Sequence, residues 1–300
     1  NLGDRMCFVG GYGRRAWGVG KQGELVVAIL FNVIGVMGDI WCSFDGETWS
    51  EVAPNGDGFD RRHGHAVVFF NDRMWVIGGN LSSTYYADVW NLEPTSGWDW
   101  DPDATTYGID WADYTEVTAS APWGARTGHA VTVHNGELYL SGGKTSDGEY
   151  LDDVWKSSNG STWTLVTDNI SPDPENDTGM DKRAYHQMLS FDGKLWIIGG
   201  RASYHETIFD ENTTMYEAND IWMSEDNGAT WNEVTDHASF EQRQDFQAVV
   251  HDGAIYITGG YGGDGYVTVQ GKDSILNDVW RSEDGVNWRA GFSKTVTMQR

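Results

Sequence analysis

Short runs of alternating apolar and polar residues, separated by tight-turn dipeptides, fill most of this chain. The clearest stretch contains four such runs, which we name strands a to d. They are His129-Ala-Val-Thr-Val, Leu138-Tyr-Leu-Ser, Asp153-Val-Trp-Lys-Ser and Thr162-Trp-Thr-Leu-Val. Asn135-Gly136 and Asn159-Gly160 separate a from b and c from d, and this pattern predicts antiparallel hairpins. No stretch has a sustained 3.6-residue period, so almost no helix is expected.

The four-strand unit recurs five times. In each copy strand b ends in a glycine pair, and strand c begins with Asp-[Val/Ile]-Trp. The glycine pairs are Gly10-Gly11, Gly78-Gly79, Gly142-Gly143, Gly199-Gly200 and Gly259-Gly260. The triplets are Asp39-Ile40-Trp41, Asp88-Val89-Trp90, Asp153-Val154-Trp155, Asp220-Ile221-Trp222 and Asp278-Val279-Trp280. They lie 49, 65, 67 and 58 residues apart, a period typical of propeller blades.

These residues resemble the kelch repeat of the galactose-oxidase-like propellers. The shared features are the glycine pairs, the Asp-x-Trp triplets, a strand-d Trp and an Arg before strand a. The resemblance implies an all-β propeller of four-stranded antiparallel blades, in one domain with units of about 1–60, 61–125, 126–182, 183–242 and 243–300. It also implies that the repeated tryptophans pack between blades as structural residues. Trp98, Trp100, Trp111 and Trp123 lie outside the repeat and are free for other roles.

The c–d turns carry a second resemblance, to the Asp-box of sialidase-type propellers. Ser224-Glu-Asp226-Asn-Gly228-Ala-Thr230-Trp231 has the full pattern. Shorter versions run from Ser43 to Trp49 and from Ser282 to Trp288. In those families the Asp-box is a structural turn, so we expect the Asp to fold back onto turn amides.

Composition excludes some partners and indicates a compartment. A formal net charge of −25 on 300 residues argues against nucleic acid and anionic membrane surfaces. The chain starts at Asn1 without a signal-peptide pattern, which we interpret as an exported, bacterial-type protein of the cell envelope or exterior whose signal has been removed. The apolar run from Leu25 to Met37 is too short to span a bilayer as a helix. We expect it to form an extra hairpin on the propeller or a partner surface.

The two cysteines, Cys7 and Cys42, fall on neighbouring strands of the first unit. A cross-strand disulfide would suit an exported protein. Because Cys7 stands where other units have an aromatic residue, a core cysteine is an equal alternative.

The ends of the chain predict a fragment. Arg300 aligns with the arginines that precede strand a, and Gly3 to Met6 align with an a–b turn. Five units therefore carry four copies of strand a, and one inner strand is expected to be missing.

Loop lengths predict which rim of the propeller binds. The a–b turns are minimal, whereas the d–a and b–c connections share the other rim and include long segments. The b–c loops are 12–38, 80–87, 144–152, 201–219 and 261–277, and 167–182 is a long d–a loop. Long loops on a rigid scaffold usually carry binding sites.

The same rim carries Arg-x-x-His at the start of strand a. The candidate ligand-binding residues at this channel mouth are Arg62, His65, Arg126, His129, Arg183, His186 and Arg243. In kelch proteins that bind acidic peptides or sugar acids, arginines at this position contact the ligand, and the resemblance implies the same here. The alternative is that each Arg pairs with the Asp of its triplet while each His packs the channel.

The favoured function is therefore non-catalytic recognition of a glycan or protein at the channel mouth. The alternative is a carbohydrate-active enzyme resembling a sugar-acid epimerase or galactose oxidase. No Cys stands where galactose oxidase has its thioether Cys, and no zinc spacing or acid/base pair stands out, so neither a cofactor nor catalytic residues are predicted. Two oxygen-rich runs, Asp99 to Asp103 and Asp173 to Asp177, are weak calcium candidates.

Overall fold

A computed structural model describes the backbone of residues 6–12, 18–19, 36–43, 49–52, 58–93, 114–170, 180–205, 213–262 and 275–291. Within these ranges the protein consists of strands and turns, without a helix. The described residues accordingly include no helix long and apolar enough to cross a bilayer.

The strands form five antiparallel sheets, one for each predicted unit. Blade one has β1 (Met6–Tyr12), β2 (Gly18–Val19), β3 (Val36–Ser43) and β4 (Trp49–Val52). Blade two has β5 (Ala66–Phe70), β6 (Arg73–Leu81), β7 (Thr84–Leu92) and β8 (Thr115–Thr118). Blade three has β9 (Ala130–His134), β10 (Glu137–Lys144), β11 (Tyr150–Ser157) and β12 (Thr164–Thr167). Blade four has β13 (Lys182–Ala184), β14 (Gln187–Phe191), β15 (Lys194–His205), β16 (Thr213–Ser224) and β17 (Asn232–Thr235). Blade five has β18 (Gln247–His251), β19 (Ala254–Thr258), β20 (Val279–Ser282) and β21 (Arg289–Ala290).

Blades two to five pair their strands in the predicted order a-b-c-d. Each strand a starts within a residue of its predicted position, and the inner strands β5, β9, β14 and β18 contact one another in succession. This confirms an all-β propeller of four-stranded antiparallel blades.

Blade one builds its inner edge differently. The short strand β2 pairs with β1, with Cys7 opposite Val19 and Phe8 opposite Gly18, and it contacts β5. Residues from the stretch assigned to the first b–c loop thus occupy the position that strand a has in the other blades. Of the apolar run from Leu25 to Met37, Val36 and Met37 begin β3, and residues 25–35 lie outside the described residues.

The backbone register of blade one places Cys7 directly opposite Cys42. Directly opposed residues in an antiparallel pair have Cα atoms about 4.5–5.5 Å apart, which is within the range that a disulfide spans. The register therefore suits a cross-strand disulfide, and the core-cysteine alternative stays open.

The b–c loops are shorter than the sequence predicted, because strand pairing continues into the segments that were predicted as loops. In blade two the hairpin continues past the glycine pair, so that 80–87 is mostly strand with Leu81 paired to Thr84. In blade four the hairpin extends to His205 and resumes at Thr213. The prediction of open loops at these positions was wrong because a bulge at each glycine pair lets the hairpin continue beyond it.

The hydrophobic core lies between blades. Trp75 and Ile77 of blade two pack in one cluster with Leu138, Leu140 and Trp163 of blade three. Similar clusters join blade three to blade four and blade four to blade five. Trp163, Trp222, Trp231 and Trp288 are buried as predicted, and Trp90, Trp155 and Trp280 are partly buried. The side chain of Trp41 lies outside the described residues.

The c–d turns fold as the sequence predicted at two sites. Asp226 accepts hydrogen bonds from the Thr230 amide and the Ser224 hydroxyl, at 2.8 and 2.9 Å. Asp284 accepts from the amides of Val286 and Asn287, at 2.9 and 2.7 Å. Hydrogen bonds to the ionised form, from Asn287 first, lower the pKa of Asp284.

Candidate functional site

Each repeated arginine is held inside its own blade by a carboxylate. Arg62, Arg126, Arg183 and Arg243 make two-pronged ion pairs with Asp88, Asp153, Asp220 and Asp278. The eight N–O distances are 2.5–2.9 Å. Each Arg also donates to the carbonyl of the first glycine of the pair, and each Asp accepts from the indole N–H of its triplet Trp. One network thus ties together the residues that define the repeat.

The geometry favours the structural alternative for these arginines. Their side chains are 0–3% exposed, and a ligand could reach a guanidinium only by displacing the aspartate. Burial alone would raise the pKa of Asp278, but hydrogen bonds from Arg243 and Trp280 hold it below its ordinary value. The geometry therefore favours a scaffold role for the four arginines.

A hydrophobic residue three positions before each arginine belongs to the same network. These residues are Phe59, Trp123, Met180 and Phe240, and all four are buried. The rings of Phe59, Trp123 and Phe240 lie 5.3–5.8 Å from the guanidinium carbon. The prediction that Trp123 stands outside the repeat was wrong. A hydrophobe-x-x-Arg pattern was present in the sequence and would have placed it.

The repeated histidines pack against the glycine pair of the preceding blade. An added Cβ on Gly78 would lie 2.8 Å from the His129 ring, and one on Gly142 would lie 3.0 Å from the His186 ring. Phe246 meets Gly199 of blade four in the same way. The first glycine of each pair thus leaves room for a ring from the next blade. His129 Nε2 lies 3.1 Å from the Ile77 carbonyl, and His186 Nε2 lies 2.8 Å from the Ser141 hydroxyl.

Both histidines are buried in their neutral form. Burial, reinforced by Arg126, lowers the pKa of His129 to about 3, and burial together with Arg183 holds the pKa of His186 well below 6.5. We predict that stability is full above pH 6.5 and falls below it, because the unfolded chain then binds protons that the folded state excludes. Between pH 7 and pH 5 the loss is about 2 kcal/mol for His129, and His186 contributes a further loss of the same sign, measured by urea unfolding.

Blade five supplies the matched variants for this prediction. His129→Phe with His186→Phe copies Phe246 and should reduce the pH dependence between pH 7 and pH 5, whereas Phe246→His should increase it. Burial lowers the pKa of His63 and His134 as well, so the double variant keeps part of the dependence. An unchanged profile in both variants would show that the imidazoles at these positions are not the titrating groups.

A ring of backbone hydrogen bonds joins the blades where their inner strands begin. The Gly128 amide donates to the Gly64 carbonyl at 2.8 Å, the Tyr185 amide to the Gly128 carbonyl at 2.6 Å, and the Asp245 amide to the Tyr185 carbonyl at 3.1 Å. All four residues have a positive φ of 53–66°. Glycine adopts this conformation readily, whereas Tyr185 does so against its intrinsic preference.

A cavity of about 500 Å³ opens at this ring, and we name it the mouth cavity. Its wall consists of the residues around the start of strand a in blades two to five, together with Lys144, Tyr150 and Arg201 from the b–c hairpins of blades three and four. It lies on the rim that the loop lengths predicted. Lys144, Tyr150, Tyr185, Arg201, Gln244 and Asp245 were not among the predicted site residues.

The wall of the mouth cavity includes positions at which the blades differ, beside the repeated His65, His129 and His186. The residue two after the repeated Arg is Gly64, Gly128, Tyr185 or Asp245, and the residue after the glycine pair is Asn80, Lys144, Arg201 or Tyr261. Scaffold positions such as Arg, Asp and Gly-Gly are the same in each of these blades. The variable positions are therefore the ones that can give this surface its own binding preference.

Several polar atoms of the cavity wall lack a partner. Gln244 Oε1, Arg201 Nε, His129 Nδ1 and His186 Nδ1 are buried without a hydrogen bond, and all four residues line the cavity. Buried polar atoms are normally satisfied. A ligand or ordered water could supply the missing hydrogen bonds.

The cavity also holds unpaired positive charge. Among the lysines and arginines whose side chains the structure describes, all but Arg61, Lys144, Arg201 and Arg289 form an ion pair within 4.0 Å with a described carboxylate. Two of these four, Lys144 and Arg201, face the cavity. Lys144 Nζ lies 5.4 Å from the centre of the Tyr150 ring. Burial raises the pKa of Tyr150, and the charge of Arg201 opposes that shift.

Across the described residues, no three metal-ligating side chains come together. Both calcium candidates, Asp99 to Asp103 and Asp173 to Asp177, lie outside the described residues, as do Trp98, Trp100 and Trp111.

Comparison with known families identifies the class of protein. The KLHDC2/KLHL20/DRC7 Kelch-repeats domain matches residues 109–283, and the Kelch motif matches residues 61–97. The chain belongs to the kelch-repeat family. No curated protein matches the chain significantly. Kelch domains commonly mediate protein–protein interactions, which is consistent with a non-catalytic binding propeller.

Proposed function

We propose that this propeller binds an acidic segment of a protein partner in the mouth cavity, without catalysis. The observation that carries the proposal is the wall itself, in which variable positions join the repeated histidines and bring in Lys144 and Arg201 without a carboxylate within 4.0 Å. On a chain with a net charge of −25, two unpaired cations in one concave site form a local attraction for anions. Kelch-family membership supports a protein ligand.

Lys144 and Arg201 come from adjacent blades and flank Tyr150. Arg201 offers a planar fork that can hold a carboxylate by two hydrogen bonds, and Lys144 adds a point charge. Hydrogen bonds to charged groups contribute about 1.5–3 kcal/mol each. Removing either cation should therefore weaken binding of an acidic segment about tenfold or more.

The test is fluorescence anisotropy with labelled hexaglutamate and hexalysine peptides at low salt. We predict that hexaglutamate binds and hexalysine does not, that rising NaCl weakens the complex, and that Lys144→Gln and Arg201→Gln each weaken it about tenfold. Arg289→Gln is the matched control, because Arg289 is an exposed unpaired cation on β21, outside the cavity wall. Each variant should melt at the wild-type temperature.

Two outcomes would contradict the proposal. One is the absence of hexaglutamate binding, and the other is an equal effect of Arg289→Gln and Arg201→Gln, which would indicate unspecific charge attraction. Binding of oligogalacturonate but not hexaglutamate, lost in Arg201→Gln, would assign the same cavity to an anionic glycan instead.

A further inference from the structure

The two non-glycine residues of the backbone ring lie side by side on one part of the mouth. Tyr185 and Asp245 have φ values of 60° and 53°, at the position where blades two and three have Gly64 and Gly128. Tyr185 is the more unusual, because a bulky residue in the left-handed region is a true outlier. Glycine fills the same role in two neighbouring blades, so the backbone does not need a tyrosine here. Strain that the fold does not require points to a function for the side chain.

The Tyr185 ring forms part of the cavity wall. A Cβ added to Gly128 would lie 2.8 Å from this ring, so the ring packs directly on the backbone of Gly128 in blade three. The side chain is partly buried and the residue lines the cavity. Burial, with the negative charge of Asp245 next, raises the pKa of Tyr185 to about 12. Tyr185 is therefore a neutral aromatic group at physiological pH.

The cavity wall holds aromatic rings and a carboxylate as well as cations. Lys144 Nζ lies 5.4 Å from the centre of the Tyr150 ring, and Arg201 lines the same cavity. Asp245 lies next to Tyr185 in the backbone ring, where its amide donates to the Tyr185 carbonyl at 3.1 Å. Burial first, and then the charge of Asp245, raise the pKa of Tyr185, and Asp245 acts on Tyr150 in the same direction. Aromatic faces beside a carboxylate are the surroundings that favour an organic cation.

We infer that Tyr185 and Asp245 form a second subsite that takes a basic side chain, so that the mouth cavity selects a mixed-charge segment with an acidic and a basic residue close together. This inference rests on the proposed function, because the acidic residue occupies the Lys144–Arg201 side. Tyr185 is then a specificity-determining residue. Its strained backbone conformation holds the ring at the cavity wall.

Binding of two hexapeptides tests the inference. The probes are hexaglutamate and an alternating Glu-Lys hexapeptide of the same length. Wild-type protein should bind the alternating peptide at least about tenfold more tightly, because a cation beside an aromatic ring and a carboxylate adds to the acidic contact. Asp245→Asn keeps a residue that tolerates positive φ and should abolish the preference. Hexaglutamate binding to that variant should be equal or tighter.

Tyr185→Gly copies Gly128 and separates a binding role from a packing role. We expect its melting temperature to stay at or above the wild-type value, since the backbone strain is relieved, while the preference for the alternating peptide disappears. A lower melting temperature with the preference intact would make Tyr185 a packing residue and overturn the inference.

The two proposals fail in different ways. If hexaglutamate binds the cavity but the alternating peptide binds no better, the second subsite is wrong and the acidic site stands. If neither peptide binds, the proposed function itself falls.

Discussion

Replacing Asp220 with alanine is expected to lower the free energy of unfolding by about 3–5 kcal/mol. Asp220 accepts both prongs of Arg183, at 2.7 Å each, and the indole N–H of Trp222 at 2.7 Å. The Arg183 side chain is 0% exposed, so alanine would leave a buried guanidinium without its counter-charge. Because domains of this kind are stable by only about 5–15 kcal/mol, the loss should be visible as a large shift of the urea midpoint.

An exposed ion pair provides the control for Asp220. Glu225 lies 2.7 Å from Lys194 with its side chain 61% exposed, and pairs of this kind contribute about 0–1 kcal/mol. Glu225→Ala should therefore have little effect. Equal effects of the two substitutions would contradict a structural role for the Arg–Asp network.

Gly200→Ala is expected to destabilise the protein by about 3 kcal/mol or more, combining an unfavourable backbone conformation with overpacking. Gly200 has a φ of +101°, and an added Cβ would lie 2.6 Å from the Cβ and 2.8 Å from the backbone nitrogen of His186. His186 is buried between β13 and β14, and its backbone atoms cannot move aside as the end of a flexible side chain can.

Gly193→Ala separates the two causes. Gly193 also has a positive φ, +70°, but an added Cβ would meet no atom within 4 Å. It should lose only about 1–2 kcal/mol, the penalty for a left-handed alanine. Thermal or urea unfolding of both variants checks the difference, and a Gly200→Ala variant no less stable than Gly193→Ala would disprove the close packing of blade four.

The scaffold was predictable because its physical requirements repeat. Gly78 is needed where the His129 ring of the next blade approaches the backbone, and Gly79 where the Cβ and backbone of His65 approach it within the same blade. Asp88 is needed to pair with a buried arginine, and Trp90 donates to that aspartate. The same requirement returns in each blade, so the residues recur at a fixed spacing that a single sequence displays.

The rim that carries the mouth cavity was predictable, and the predicted His65, His129 and His186 line the cavity, but its other polar residues were not predictable because they do not recur. Lys144, Tyr185 and Arg201 occupy positions that differ from blade to blade, and they come together only when the blades are placed side by side. The repeat pattern instead suggested Arg62 and its equivalents as binding residues, although these arginines recur because each forms a structural ion pair. In a repeat protein the informative positions for binding are those that depart from the repeat while facing a cavity.

The inner edge strand of blade one, β2, could also not be predicted from the sequence pattern. Gly18–Val19 pairs over only two residues, and a run this short shows no alternation of apolar and polar residues. It also follows strand b in the chain, whereas strand a precedes strand b in the other blades. Pairing of this kind depends on an available strand edge in three dimensions.

The central claim is that this kelch propeller binds its ligand in the mouth cavity, on the rim where strand a begins. Hydrogen–deuterium exchange with and without saturating hexaglutamate tests it most directly. We predict that the peptide slows exchange in residues 63–67, 128–131, 144–150 and 185–188. Exchange in the a–b turns of the opposite rim, at 135–136 and 192–193, should not change. Protection confined to those a–b turns, or no protection at a saturating peptide concentration, would contradict the claim.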